Sequence, residues 1–172
     1  ANSSIKLSWR KVQGVSGYQV VVYKGNKVAK KLDVSAKATS ITIKKLSQNT
    51  TYRFKIRGYK VVNGKRYYAI YSNTSVASTK AKATKVSLAT LTKKVMVSWK
   101  KIGGAKGYEI VMSTKMTSGF KKVATITATS TKHTIKSLKS GSTYYFKVRS
   151  YKIVEGKKIY SDYSKVKSIK VK

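Results

Sequence analysis

The chain has 172 residues, with 39 Lys plus Arg against four acids, Asp33, Glu109, Glu155 and Asp162, for a formal net charge of +35. It has no cysteine, no proline and one histidine, which excludes disulfides and thiolate metal sites; 41% hydrophobic residues with 13 Tyr, two Trp and three Phe exclude a disordered basic tail. Only five of the cations are arginine and 34 are lysine, a compact hydrated point charge suited to loose attraction to polyanions rather than to bidentate reading of base edges.

Along the chain, Ala1-Asn2-Ser3-Ser4 is no signal peptide, and any targeting segment has been removed or lies outside this sequence. No apolar run approaches the ~20 residues of a transmembrane span. Ile5, Leu7 and Trp9 alternate with Lys6, Ser8 and Arg10, the period of a half-buried strand. Tyr18, Val20 and Val22 make a second such face, and Ile41 with Ile43 a third. The clearest alternation is Tyr52, Phe54 and Ile56 against Arg53, Lys55 and Arg57. Asn63-Gly64, between Val61-Val62 and Tyr67-Tyr68, is a two-residue hairpin turn, because both residues tolerate positive φ. No segment keeps helical periodicity for three turns.

The chain then repeats itself. Ser8-Trp9-Arg10-Lys11-Val12 returns as Ser98-Trp99-Lys100-Lys101-Ile102, and Gly17-Tyr18-Gln19-Val20 as Gly107-Tyr108-Glu109-Ile110, at an offset of 90. Thr51 to Arg57 returns as Thr143 to Arg149, and Tyr59 to Arg66 as Tyr151 to Lys158, at an offset of 92. The two additional residues fit the loop around Thr114 to Phe120. About seven short strands per copy, divided by Gly, Asn and Ser turns, predict an antiparallel sandwich in each of two modules, 1–80 and 81–172. Module one has 17 basic residues and one acid, for +16; module two has 22 and three, for +19. The charge is a coat on both modules rather than a single patch.

Leu7-Ser8-Trp9, Gly17-Tyr18-Gln19-Val20 and Leu46 followed by Tyr52-Arg53-Phe54-Lys55-Ile56 resemble a fibronectin type III module, and Trp99, Gly107-Tyr108, Leu138 and Tyr144 repeat the pattern. The resemblance implies all-β architecture, two tandem immunoglobulin-like sandwiches. It places the Trp on strand B, the Gly-Tyr at the start of strand C, and the Leu and Tyr at the corner before strand F. The Gly-Lys-rich hairpins, Tyr59 to Tyr71 and Tyr151 to Tyr163, are similar to modules of secreted and surface proteins of Gram-positive bacteria. Residue 1 aligns with residue 91, so the first module lacks a counterpart of Ala81 to Thr90, the second module's strand A. Either the sequence is part of a longer array, or the edge formed by Ile5, Leu7 and Trp9 is open to strand addition.

Little here supports catalysis. Acid–base chemistry needs paired titratable groups. Asp33 is the one acid of its module, and Glu155 with Asp162 is expected to neutralise Lys157 and Lys158. Glu109 is expected to face Lys147 or Arg149 across strands. His133, without a second His or a Cys, holds no metal. The chain is therefore read as no enzyme, with no cofactor.

The remaining candidate surface is the outer row of Arg53, Lys55 and Arg57 with Tyr23, and Tyr145, Lys147 and Arg149 in the second copy. Cations interleaved with tyrosine suit anionic polymers. The expected function is a spacer or adhesive segment of an extracellular bacterial surface protein, held by electrostatics to teichoic acid and other cell-wall polymers, mucin and other glycans, or extracellular DNA. The alternatives are an accessory region of a secreted glycan- or cell-wall-acting hydrolase, beside other domains of the same polypeptide, and a fibre subunit that self-associates by strand donation.

Overall fold

The computed structural model describes residues 3–172. The chain divides into two compact units, Ala1–Thr79 and Lys80–Lys172. Both are all-β and antiparallel, without a helix among the described residues.

The first unit contains β1 (Ile5–Ser8), β2 (Gly17–Lys24), β3 (Lys27–Ser35), β4 (Ser40–Ile43), β5 (Thr51–Val62), β6 (Lys65–Tyr68) and β7 (Ser75–Ser78). Its larger sheet runs β3-β2-β5-β6, with β7 also pairing β5; its smaller sheet is β1-β4. The second unit contains β8 (Val86–Leu91), β9 (Lys94–Trp99), β10 (Gly107–Ser113), β11 (Lys121–Thr127), β12 (Lys132–Ile135), β13 (Thr143–Val154), β14 (Lys157–Tyr160) and β15 (Lys167–Lys170). Its larger sheet, β11-β10-β13-β14 with β15 on β13, repeats the plan of the first. Its smaller sheet, β12-β9-β8, has one strand more.

Alternation builds the cores. Val20, Val22, Tyr52 and Phe54 of the first unit's larger sheet turn inward onto Ile43 and Leu46, while Arg53 and Lys55 turn outward. In the second unit Ile110, Phe146 and Val148 meet Val95, Val97 and Trp99, with Val86 of β8 and Val171 added. The two longest strands, β5 and β13, carry a short partner at each end of one edge: Thr51–Phe54 pairs β7 and Tyr59–Val62 pairs β6. Between these ladders the connecting chain leaves the strand pattern but keeps single bonds to the long strand, Ser161 N–H to Ser150 O at 2.9 Å and Ser164 N–H to Val148 O at 2.8 Å. Serine hydroxyls there accept ladder hydrogens: Ser164 Oγ from Val148 N–H at 3.1 Å and Ser161 Oγ from Ser150 N–H at 3.0 Å.

Tyrosine hydroxyls fix the corners. Tyr18 Oη accepts Val12 N–H at 2.8 Å, and Tyr108 Oη accepts Ile102 N–H at 2.8 Å. Tyr52 Oη accepts Ser47 N–H at 2.9 Å, closing the turn before β5. The hairpin turns have the left-handed conformation expected of them, with Asn63 at φ 49° and Gly64 at 74°, and Glu155 at 48° and Gly156 at 71°. Gly107 opens β10 because a Cβ there would lie 2.6 Å from the Ile126 carbonyl oxygen and from Tyr151 Oη.

Phe146 is fully buried at the centre of the second core. Phe146→Ala is expected to cost roughly 3–5 kcal/mol of that unit's stability, read as a shift of the urea midpoint; a loss below about 1 kcal/mol would contradict this placement.

Candidate functional site

The outer faces of the two larger sheets carry the cations of the sequence-predicted row, and register decides what each one meets. β2 and β5 bring Tyr23 opposite Arg53, Val21 opposite Lys55 and Gln19 opposite Arg57. β10 and β13 bring Ser113 opposite Tyr145, Val111 opposite Lys147 and Glu109 opposite Arg149.

The row separates into two environments. Arg53 reaches the β2–β3 turn, where its guanidinium donates to Gly25 O at 2.7 Å and Asn26 Oδ1 at 2.8 Å. With Tyr23, Asn26, Lys55 and Thr74 it lines an open hollow of about 250 Å³. Arg57 is instead clamped. Its guanidinium carbon lies 3.8 Å from the centre of the Tyr68 ring and 4.3 Å from that of Tyr71. Its Nε and one terminal nitrogen donate to Gln19 Oε1 at 3.1 and 2.8 Å, and Tyr71 Oη donates to the same oxygen at 3.2 Å.

The second unit repeats the clamp. Arg149 lies 3.8 Å from the Tyr160 ring centre and 4.6 Å from that of Tyr163. Lys147 continues the stack, 3.6 Å from the Phe120 ring and 5.3 Å from Tyr163. The longer β10–β11 connection supplies Phe120, so the insertion in the second copy covers a cation. Tyr145 is half-buried at the end of the row, between Ser113 and Ser168.

One position distinguishes the clamps. Where the first unit has Gln19, the second has Glu109, whose residue is 3% exposed. Arg149 donates to Glu109 Oε2 at 2.8 and 3.1 Å, and Tyr160 Oη donates to Oε1 at 3.0 Å. Burial is the largest single influence on this carboxyl and pushes its pKa up. The Arg149 and Tyr160 hydrogen bonds, with the charges of Arg149 and Lys122, outweigh burial and hold it below 4.5. Tyr160 is pushed above 10, by burial first and then by its bond to Glu109. Arg149 is thus neutralised by its partner. Arg57, held by a neutral amide, is not.

Two other acids bind cations that sequence reasoning did not assign to them. Asp33 pairs with Arg66 at 2.6 Å, and Asp162 with Lys80 at 3.3 Å, both near the surface. The clamp tyrosines were also missed. Their signal is Tyr68 and Tyr71, three apart, returning as Tyr160 and Tyr163. His133 lies on β12 opposite Val97. Among the described residues no three His, Asp or Glu side chains gather as a metal site, and no helix is long and apolar enough to cross a membrane. The arrangement offers fixed cations flanked by aromatic planes, suited to sulfate, phosphate or carboxylate groups.

A family model described as the fibronectin type III domain matches the chain twice, over residues 1–74 and 80–167. Among solved structures, a two fibronectin type-III domain segment from chicken tenascin aligns with 98% of this chain and 93% of its own at 19% identity and a TM-score of 0.55. The FN1–FN3 domains of chicken CNTN1 align with all of this chain and 61% of theirs at 18% identity and a TM-score of 0.46. No curated protein matches the chain in sequence.

The Glu109 pKa is lower folded than unfolded, so the pair's stabilisation is complete above pH ~4.5 and is lost as pH falls through the folded value. Urea titrations between pH 6 and pH 2 are expected to show this loss in the second unit. Glu109→Gln, which copies the first unit, should remove that component of the pH dependence and cost roughly 1–2 kcal/mol at pH 7. An unchanged pH profile in the variant would contradict the assignment.

Proposed function

Because the chain belongs to the fibronectin type III family through both of its units, we propose that it is a non-catalytic tandem module of an extracellular bacterial surface protein, a spacer that also adheres to polyanions. The surplus of positive charge carries this reading. Of four acids, Asp33, Glu109 and Asp162 each already hold a cation, against 39 Lys and Arg. The remaining charge must be met from outside, by small anions or by one long one. A polymer with closely spaced phosphates, sulfates or carboxylates replaces many small counter-ions and gains the entropy of their release. Teichoic acid, acidic glycans and extracellular DNA all have this chemistry.

The type of cation suits the role. Lysine predominates and sits on both units, so binding draws on charge density and ignores the detailed shape of the polymer. The open hollow at Arg53, Lys55 and Tyr23 and the stacked row at Lys147 are the places where a polymer meets cations beside aromatic planes. The Gram-positive surface context rests on the similarity of the Gly-Lys-rich hairpins.

Binding to teichoic acid or heparin is expected to weaken roughly a hundredfold between 50 and 200 mM salt, as for about four anionic contacts. Lys55→Gln and Lys147→Gln should each lower the slope of log K against log salt by up to about one, equally for each polymer. Absence of binding at 50 mM salt, or binding insensitive to salt, would overturn the proposal.

A further inference from the structure

The two cation rows share a plan and differ at one end. By register, Tyr23, Arg53, Lys55 and Thr74 of the first unit correspond to Ser113, Tyr145, Lys147 and Val166 of the second. In the second unit the Phe120 and Tyr163 rings cover Lys147, and a tyrosine stands where the first unit has Arg53. In the first unit that end of the row is the open hollow of about 250 Å³ lined by Tyr23, Asn26, Arg53, Lys55 and Thr74. Among the described residues no carboxylate lines it. Asp33 pairs with Arg66 and stands opposite Gln19. That is four residues from Tyr23 along β2, or about 13 Å at ~3.3 Å per residue.

The donors around this hollow are held in place and unspent. Arg53 gives one terminal nitrogen to Gly25 O at 2.7 Å and to Asn26 Oδ1 at 2.8 Å. Among the described residues its Nε–H and its other terminal nitrogen have no partner. The same bond orients the Asn26 amide: Oδ1 is taken, and the Nδ2 hydrogens remain to be given. Thr74 adds an exposed hydroxyl. Lys55 is half-buried, and among the described residues its ammonium makes no hydrogen bond, ion pair or ring contact. A half-buried cation without a partner carries a desolvation cost, which an arriving anion offsets.

We infer that this hollow is a site for one tetrahedral oxyanion, a phosphate or sulfate group, and that the second unit has no counterpart to it. The inference rests on the reading of the chain as a polyanion-binding module and gives that reading one fixed contact. A guanidinium already held at one nitrogen presents its remaining N–H groups as a rigid fork, with little side-chain entropy left to lose. Lys55 supplies a second charge from the same strand, while Asn26 and Thr74 supply neutral donors from the β2–β3 turn and the segment before β7. Donors from three segments suit an anion whose oxygens diverge. A carboxylate has two coplanar oxygens, and one fork occupies both. A phosphate or sulfate group spreads its oxygens around a tetrahedron and satisfies more of the site. The hollow is smaller than the ~300–1,000 Å³ of pockets that enclose a whole small molecule, so it takes the charged group and leaves the rest of a polymer outside. The diffuse charge of both units still supplies most of the attraction, and the site adds a preference on top of it.

The test follows the resonances of the full chain during titration with sodium sulfate or sodium acetate at a matched ionic strength of about 0.15 M. Sulfate should shift the Arg53 Nε and Asn26 Nδ2 signals saturably, with only small, unsaturated changes around Tyr145. Acetate should saturate neither. Arg53→Lys keeps the charge and loses the fork, so it should weaken sulfate at this site at least about fivefold. The same variant should lower heparin affinity severalfold more than poly-glutamate affinity. Arg53 is exposed, so the exchange leaves the core intact. Arg10→Lys, elsewhere on the same unit, should change neither sulfate nor heparin binding. The inference is overturned if sulfate and acetate act alike, if saturation maps to another part of the chain, or if Arg53→Lys binds sulfate as the native chain does. Loss of polymer binding in every form of the chain would overturn the adhesion reading alone, and the sulfate titration would still decide the site.

Discussion

Two sandwiches bearing about +16 and +19 must hold together against their own repulsion, and the arrangement of the molecule depends on how that is done. Strand alternation is the main device. Along β5, Tyr52, Phe54 and Ile56 turn into the core while Arg53, Lys55 and Arg57 remain on the face that water and salt can screen. Where cations crowd a half-buried face, aromatic rings share the load. Arg57 lies between Tyr68 and Tyr71, and Arg149 between Tyr160 and Tyr163, so each guanidinium trades part of its hydration for two ring faces. The scarce carboxylates are placed singly, and the one that is buried, Glu109, has both oxygens occupied by donors.

The same frame is tuned differently in the two copies. Gln19 against Glu109 leaves the first clamp charged and makes the second nearly neutral. Ile70 against Asp162 turns a site for a lysine into an apolar wall. Neither exchange touches the apolar positions that form the two cores. The differences therefore change what each unit can meet while the core stays as it was, as expected of a fold on which roles are grafted.

The fold was legible because its signals are local. Alternation at Tyr52 to Arg57, the Asn63-Gly64 turn and the repeat at offsets of 90 and 92 require no knowledge of distant residues. The outward row Arg53, Lys55 and Arg57 followed from the same period. What each cation meets was not legible, because it depends on register and on side chains arriving from other strands. Glu109 was open between Lys147 and Arg149 until the β10–β13 register placed it opposite Arg149. Asp162 pairs with Lys80, 82 residues away in the chain, a partner no local pattern announces. Tyr71 reaches Gln19 across 52 residues by way of a connecting segment that follows no strand period.

The proposed adhesion would follow charge density rather than chemical identity. Titration calorimetry of the chain against teichoic acid, heparin and double-stranded DNA, compared at equal linear charge spacing over a range of salt, tests it most directly. Parallel lines of log K against log salt are expected, with affinities within about tenfold of one another at each salt concentration. Strong binding to one polymer with none to the others, or an affinity that salt leaves unchanged, would contradict it.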